Sequence, residues 1–189
     1  MDEQLPVTSL GVVRARTDAR LSIDPGTIVK LEGARIEATF GSQFLAEGLQ
    51  GREIIFTSKL DDRFGAGGTF DTNADGDITA PSRGDWGGIY VGHLGQASID
   101  HALLTFGGGI NKIEGTFKGF NILEIHQADV RIANSILEEN ADGQGGQGPD
   151  DRFGRTANIP STIFVRGAQP VGSTRGRPGG RPAWPPSVS

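Results

Sequence analysis

Short apolar segments, separated by glycine, proline or polar pairs, constrain the fold of this chain more than any other feature. Five of them follow one another between residues 20 and 58, and they read LSID, TIVKL, RIEA, QFLAEG and EIIFTS. Each has the length of a β-strand, and none keeps the spacing of an amphipathic helix for three turns. The pattern predicts an all-β fold.

The segments also resemble one another at intervals of roughly twenty to thirty residues, which is typical of a solenoid. Residues 21–26 are echoed at 44–48, and residues 97–104 match 130–137 in apolar character. A β-solenoid has a narrow interior filled by small and medium apolar side chains, which agrees with 30 glycines and an aromatic content of 7%. A β-sandwich is the rival fold, but it needs clearer hairpin turns between paired strands.

We divide the chain into three parts on composition. A lead-in at 1–19 precedes a β domain at 20–171, and a tail at 172–189 rich in glycine, proline and arginine is expected to be disordered. The tail follows a strand-like segment with no sign of a cap, and we therefore expect the chain to be part of a longer protein.

Two long polar insertions interrupt the β domain, an Asp/Gly-rich one at 59–85 and a Gly-rich one at 140–159. Loops of this length in a compact domain are usually functional or disordered. Both contain the pentapeptide DDRFG, at 61–65 and at 150–154, which indicates a duplicated loop architecture.

The first insertion contains a candidate calcium loop. Oxygen-bearing side chains alternate at Asp71, Asn73, Asp75 and Asp77, with a glycine at position 76 that permits a sharp turn. This spacing reproduces the first half of an EF-hand loop, in which alternate oxygens converge on one hard cation. The loop has no glutamate at its twelfth position and no flanking helices, so another carboxylate must close it.

Asp85 is the nearest downstream residue that could close the loop, and Asp61 or Asp62 could do so from upstream. The alternative to calcium is a solvated acidic loop without an ion. The acidic cluster of the second insertion, around Asp142 and Asp150, is a weaker candidate for the same ion.

Composition and motifs exclude several classes of function. The net charge of −5 gives no electrostatic case for nucleic acid, and no apolar run approaches the length of about 18 residues that spans a membrane. The three histidines at 93, 101 and 126 have no partner at metal-ligand spacing, and no GxSxG motif marks a nucleophile. We therefore do not expect an enzyme.

The succession LSIDPGTIVKLEGARIEA, FLAEG, EIIFTS, a DxNxDGD loop and GDWGGIYVG resembles bacterial right-handed parallel β-helix surface proteins. Gly84 to Ile89 match the GDWGGI signature, and residues 54–58 match the strand before the variable loop. The resemblance covers roughly residues 20–171 and implies a right-handed parallel β-helix that is secreted or at the cell surface. Residues 1–20 have no basic start, no apolar core and no small-residue cleavage site, so we do not expect them to be a signal peptide.

A non-catalytic structural or adhesive role, with a carbohydrate or a cell-surface partner, is what the resemblance implies. The alternative is a carbohydrate-active enzyme, a polysaccharide lyase or hydrolase, on the same scaffold. Trp86 and Tyr90 beside a groove would favour sugar binding by stacking, whereas Trp86 as a packing anchor would favour the structural role.

Overall fold

The computed structural model describes residues 19–65, 67, 70–76, 78–113, 116–143 and 160–167. This part of the chain is all β and contains no helix, and so none that is long and apolar enough to cross a membrane. Residues 1–18, which make up nearly all of the lead-in, lie outside it, as do 144–159 of the second insertion with its DDRFG copy and the whole tail at 172–189.

Fourteen short strands make up the described part of the chain. In chain order they are β1 (Arg20–Ile23), β2 (Ile28–Leu31), β3 (Arg35–Ala38), β4 (Gln43–Glu47), β5 (Ile54–Ser58), β6 (Gly88–Val91), β7 (Gln96–Asp100), β8 (Ala102–Thr105), β9 (Ile110–Ile113), β10 (Thr116–Gly119), β11 (Leu123–His126), β12 (Asp129–Ala133), β13 (Ile136–Glu138) and β14 (Ile163–Arg166).

Twelve of these strands form three four-stranded sheets, and every pairing within them is parallel. Sheet A has the order β1-β4-β7-β12, sheet B the order β2-β5-β8-β13, and sheet C the order β3-β6-β11-β14. The chain therefore visits sheets A, B and C in the same order four times, and each passage is called a round. This architecture is compatible with a β-solenoid, whereas a sandwich of antiparallel sheets does not fit it.

The core lies between the three sheets, because the inward residues of successive rounds stack on one another. In sheet B, Val29 pairs with Phe56, Phe56 with Leu104, and Leu104 with Leu137. Phe56 and Leu104, in the two middle rounds, are fully buried, whereas Val29 and Leu137 in the outer rounds are only partly buried. Burial of apolar side chains against the next round is thus the main source of stability.

Trp86 anchors the chain where the first insertion returns to sheet C. Its ring is fully buried and lies 6.5 Å from the ring of Phe56, and its indole N–H donates to the carbonyl of Thr105 at 2.8 Å. This is the packing role that the sequence offered as one of two alternatives.

The glycines of the GDWGGI segment allow a close approach of backbones. Gly88 has φ +107°, and a Cβ added there would lie 2.6 Å from the carbonyl oxygens of Asn121 and Ile122. Any side chain would therefore collide with the backbone of the next round, which explains glycine at this position.

One element was not predicted from the sequence, an antiparallel hairpin of β9 and β10 between sheets B and C. The sequence gives no clear signal for this hairpin, because residues 110–113 and 116–119 do not alternate strictly and no Asn-Gly or Asp-Gly pair joins them.

Candidate metal centre

The first insertion leaves sheet B after Ser58 and is anchored at once by Asp61, whose side chain is fully buried. The carboxylate accepts hydrogen bonds from the hydroxyl of Thr57 and from the Nε of Arg63 at 2.9 Å. Burial by itself raises the pKa of Asp61, but the hydrogen bonds from Arg63 and Thr57 outweigh it and hold that pKa below its ordinary value. Asp61 thus fixes the start of the insertion as an ionised structural residue.

Two further contacts hold the insertion against the sheets. The ammonium of Lys30 on β2 donates to the carbonyl of Phe70 at 2.6 Å. Asp85 accepts from the hydroxyl of Ser58 at 2.6 Å and from the backbone N–H of Ser82 at 2.9 Å. Asp85 therefore ties the return of the insertion to the end of β5, where the insertion began.

Three aspartates converge within the insertion. Asp62, Asp71 and Asp75 each offer one carboxylate oxygen, and these oxygens all lie within 4.8 Å of one another. All three residues are half-buried. Within the described ranges, no other set of three His, Cys, Asp or Glu residues meets in this way. We call these three residues the aspartate cluster.

Local turn geometry brings the cluster together. The carboxylate of Asp71 accepts from the backbone N–H groups of Asp75 at 3.2 Å and Gly76 at 2.8 Å, so the backbone wraps around it. Ala74 and Gly76 both adopt the left-handed conformation, with φ +57° and +67°. This alternation turns the chain sharply enough to direct Asp71 and Asp75 toward the same point.

Asn73 belongs to the same hydrogen-bond network. Its amide nitrogen donates to the hydroxyl oxygen of Thr79 at 2.8 Å, and that hydroxyl donates to Oδ2 of Asp75 at 2.6 Å. The network orients both side chains through their other polar atoms, which leaves Oδ1 of Asn73 and Oδ1 of Asp75 available.

Among the residues of the insertion that the structure describes, three buried oxygens accept no hydrogen bond. They are Oδ1 of Asp62, Oδ1 of Asn73 and Oδ1 of Asp75. A buried acceptor without a donor is destabilising by about 1–3 kcal/mol, and more for a charged group. A hard cation satisfies such oxygens by coordination, and carboxylate and amide oxygens are the ligands that calcium prefers. The residues present therefore fit a divalent cation of this class.

The five predicted ligands do not all lie together. Asp71 and Asp75 lie together in the aspartate cluster, and Asn73 is linked to Asp75 through Thr79. Asp77 lies outside the described residues. Asp85 is engaged by two serines and is not a member of the cluster.

Asp62 joins the cluster, whereas its neighbour Asp61 anchors the turn after β5. The sequence left these two residues as equal alternatives, because adjacent aspartates have the same spacing to the loop. No signal in the sequence separates the two residues, and only the structure shows that Asp61 reaches back to the hydroxyl of Thr57 on β5.

The aromatic residues considered for sugar stacking are buried. Trp86 is enclosed in the core, and Tyr90 on the outer face of sheet C is only 2% exposed. The guanidinium of Arg35 lies between Tyr90 and Phe120, 4.6 Å and 4.0 Å from the ring centres. Neither Trp86 nor Tyr90 presents a ring face to a sugar in this structure.

The three histidines lie apart from the aspartate cluster. His93 contacts Gln127 at 3.1 Å, His101 pairs with Asp100 at 2.8 Å, and buried His126 lies 3.2 Å from Glu124. None belongs to a group of three potential ligands among the residues that the structure describes.

Comparison with known proteins returns no match to a family model, to a curated protein or to a solved structure.

Proposed function

We propose that this chain is a calcium-binding, non-catalytic structural or adhesive module of a secreted or cell-surface protein. Its scaffold in this proposal is a right-handed parallel β-helix. The parallel sheets support a helix, and right-handedness is supported by the strong preference of parallel strand crossovers for that hand.

The observation that carries the proposal is the set of unpartnered oxygens at the aspartate cluster. Three carboxylates whose oxygens lie within 4.8 Å of one another repel each other, and buried acceptors among them lack donors. Both defects are removed by one divalent cation. An arrangement that is unfavourable without an ion is what a metal-ordered loop requires.

Calcium suits the cluster better than zinc or magnesium. All the candidate ligands are oxygens, which disfavours zinc because zinc sites are usually built with histidine or cysteine. The ligands come from a long irregular insertion, and calcium tolerates variable geometry where magnesium demands a near-ideal octahedron.

An ordered insertion on the outside of a stack of sheets is a suitable contact surface. Both ends of the insertion are held at β5, where Asp61 accepts from Thr57 at the start and Asp85 accepts from Ser58 at the return. The insertion can therefore present a fixed shape to a carbohydrate or to a protein at the cell surface, and binding to a pre-ordered loop avoids the entropy of ordering it.

Calcium titration of the full chain by calorimetry tests the proposal. We expect saturable binding, and Asp75→Ala should weaken it by more than about tenfold because a central ligand is lost. Asp24→Ala is the matched control, because it removes an exposed aspartate that directly follows β1 and lies outside the insertion. This variant should bind calcium as the original chain does. Unchanged affinity in Asp75→Ala would contradict the ligand assignment.

A polysaccharide panel separates the module from the alternative enzyme. Incubation with acidic and neutral polysaccharides should release neither unsaturated nor reducing sugars. Release of either product in the presence of calcium would favour the lyase or hydrolase.

A further inference from the structure

The outer face of sheet A carries a ladder of polar side chains that has a direction. Nε of Arg20 donates to Oε1 of Gln43 at 2.8 Å, and Nε2 of Gln43 donates to Oε1 of Gln96 at 2.8 Å. The next residue in register is Asp129, which pairs with Gln96 across β12 and β7. Arginine only donates and an ionised carboxylate only accepts, so the ladder begins with a donor and ends with an acceptor.

Sheet B repeats this polarity. Lys30 on β2 is in register with Thr57, and Glu138 on β13 is in register with Thr105. The pairing of Phe56 with Leu104 makes Thr57 and Thr105 equivalent positions. A lysine therefore stands at the first round and a glutamate at the last round of the same ladder.

The two end faces of the stack also match in their apolar positions. Ile163 and Val165 on β14 are 42% and 64% exposed, and Leu21 on β1 is 49% exposed. Through the register of sheet C, Ile163 is equivalent to Ile36 and Val165 to Ala38. If the first round of one copy were placed on the last round of another, apolar residues would meet in the interior. Residues of opposite charge would meet on the outer faces.

We propose that two copies of this chain associate end to end, with the first round of one copy stacked on the last round of the other. Strands β12, β13 and β14 pair on one side only among the described residues, and so do β1, β2 and β3. Such edges present unpaired N–H and C=O groups to a further strand. In this arrangement Arg20 of the second copy meets Asp129, and Lys30 of the second copy meets Glu138.

The contact joins two different end faces. A pair of copies therefore still has one unoccupied first round and one unoccupied last round. Association of this type does not close on itself unless the rotation permits it, and it produces linear chains. It therefore predicts species larger than dimers as the concentration rises.

Sedimentation velocity of the full chain, measured over a range of concentrations, tests the proposal. We expect the weight-average mass to increase with concentration, and to decrease when salt screens the exposed charges. A chain that remains monomeric at every concentration overturns the proposal, including the case in which its own residues 1–18 or 168–189 occupy the end faces.

A charge exchange tests the register. Arg20→Glu and Asp129→Arg each place like charges at the contact, so each variant alone should associate at least about tenfold more weakly. An equimolar mixture restores one Glu–Arg pair and should form mixed species. Lys30 in sheet B also contacts the insertion, so a change there could affect calcium binding. Arg20 and Asp129 in sheet A test the association separately from calcium.

Glu47→Arg is the control, because it makes the same charge change on the same outer face away from the ends. It should associate as the original chain does. Melting curves establish that all variants are folded. Equal association of Arg20→Glu, Asp129→Arg and Glu47→Arg, or a mixture that behaves as its separate components do, would refute the stacking register.

Discussion

Asp62→Asn should stabilise the chain without calcium and should gain less stability from added calcium than the original chain does. The substitution keeps the size of the side chain and removes one of three negative charges in the aspartate cluster. Without an ion the carboxylate of Asp62 is repelled by the other two carboxylates, so the variant should be more stable than the original chain. With calcium the charge is a ligand, so the ion should stabilise the variant less than it stabilises the original chain.

The upper limit of 4.8 Å on the separation of the carboxylate oxygens bounds the magnitude of the first effect from below. At 4.8 Å, one pair of unit charges repels by about 1 kcal/mol at the dielectric constant of water and by about 3 kcal/mol at an effective value of 20. Because the residues are half-buried and salt screens them, we expect about 1 kcal/mol. That corresponds to a melting temperature about 2–4 °C higher for a domain of this size.

The second effect follows from mass action. Calcium at one hundred times its dissociation constant stabilises the original chain by about 2.7 kcal/mol, and a tenfold weaker site gains only about 1.4 kcal/mol. Thermal melts in chelator and in excess calcium measure both effects on the same samples. If Asp62→Asn melts below the original chain in chelator, or if calcium raises both melting temperatures equally, the proposed role of the cluster is wrong.

Two further predictions concern the scaffold. Phe56→Ala should lower the free energy of unfolding by about 3–5 kcal/mol, because the buried ring lies 6.0 Å from the ring of Phe44 and a cavity would remain. Urea unfolding measures this loss, and Ile78→Ala at an exposed position should change stability by less than about 0.5 kcal/mol; a similar small loss for both would contradict the core assignment. Hydrogen bonds from Asn134 and Arg131 lower the pKa of Asp100 to about 2, below its unfolded value of about 3.9. The stability that Asp100 contributes is therefore complete above about pH 4 and is lost as the pH falls toward 2. Unfolding of the original chain and of Asp100→Asn should accordingly differ at pH 5 and converge near pH 2, and a constant difference would refute this.

The repeat in the sequence predicted the sheets well, because each round must place small and medium apolar residues at equivalent inward positions. The match of residues 97–104 with 130–137 corresponds to the parallel pairing of β7 with β12 and of β8 with β13. Where the register is not repeated, as in the β9–β10 hairpin, the same reasoning has no signal and the element was missed.

The aspartate cluster could be predicted only in part, because the sequence shows spacing and not competition among partners. The structure brings together Asp71 and Asp75 of the alternating aspartates, and their role as metal ligands stays a prediction. It could not show that Ser58 lies beside Asp85 and engages it, since these two residues meet only when β5 and the return of the insertion are both in place. Asp77 stays a prediction, since it lies outside the described residues.

The parallel stacking of rounds also determines how the scaffold responds to force. Hydrogen bonds between neighbouring strands run along the stack, so tension applied along that direction separates one round from the next instead of shearing all bonds together. The round that begins at Gln96 ends just before its partner Asp129, so it contains 33 residues and extends to about 110 Å when pulled straight. A scaffold built in this way is therefore expected to lengthen stepwise under load, with one round released at each step.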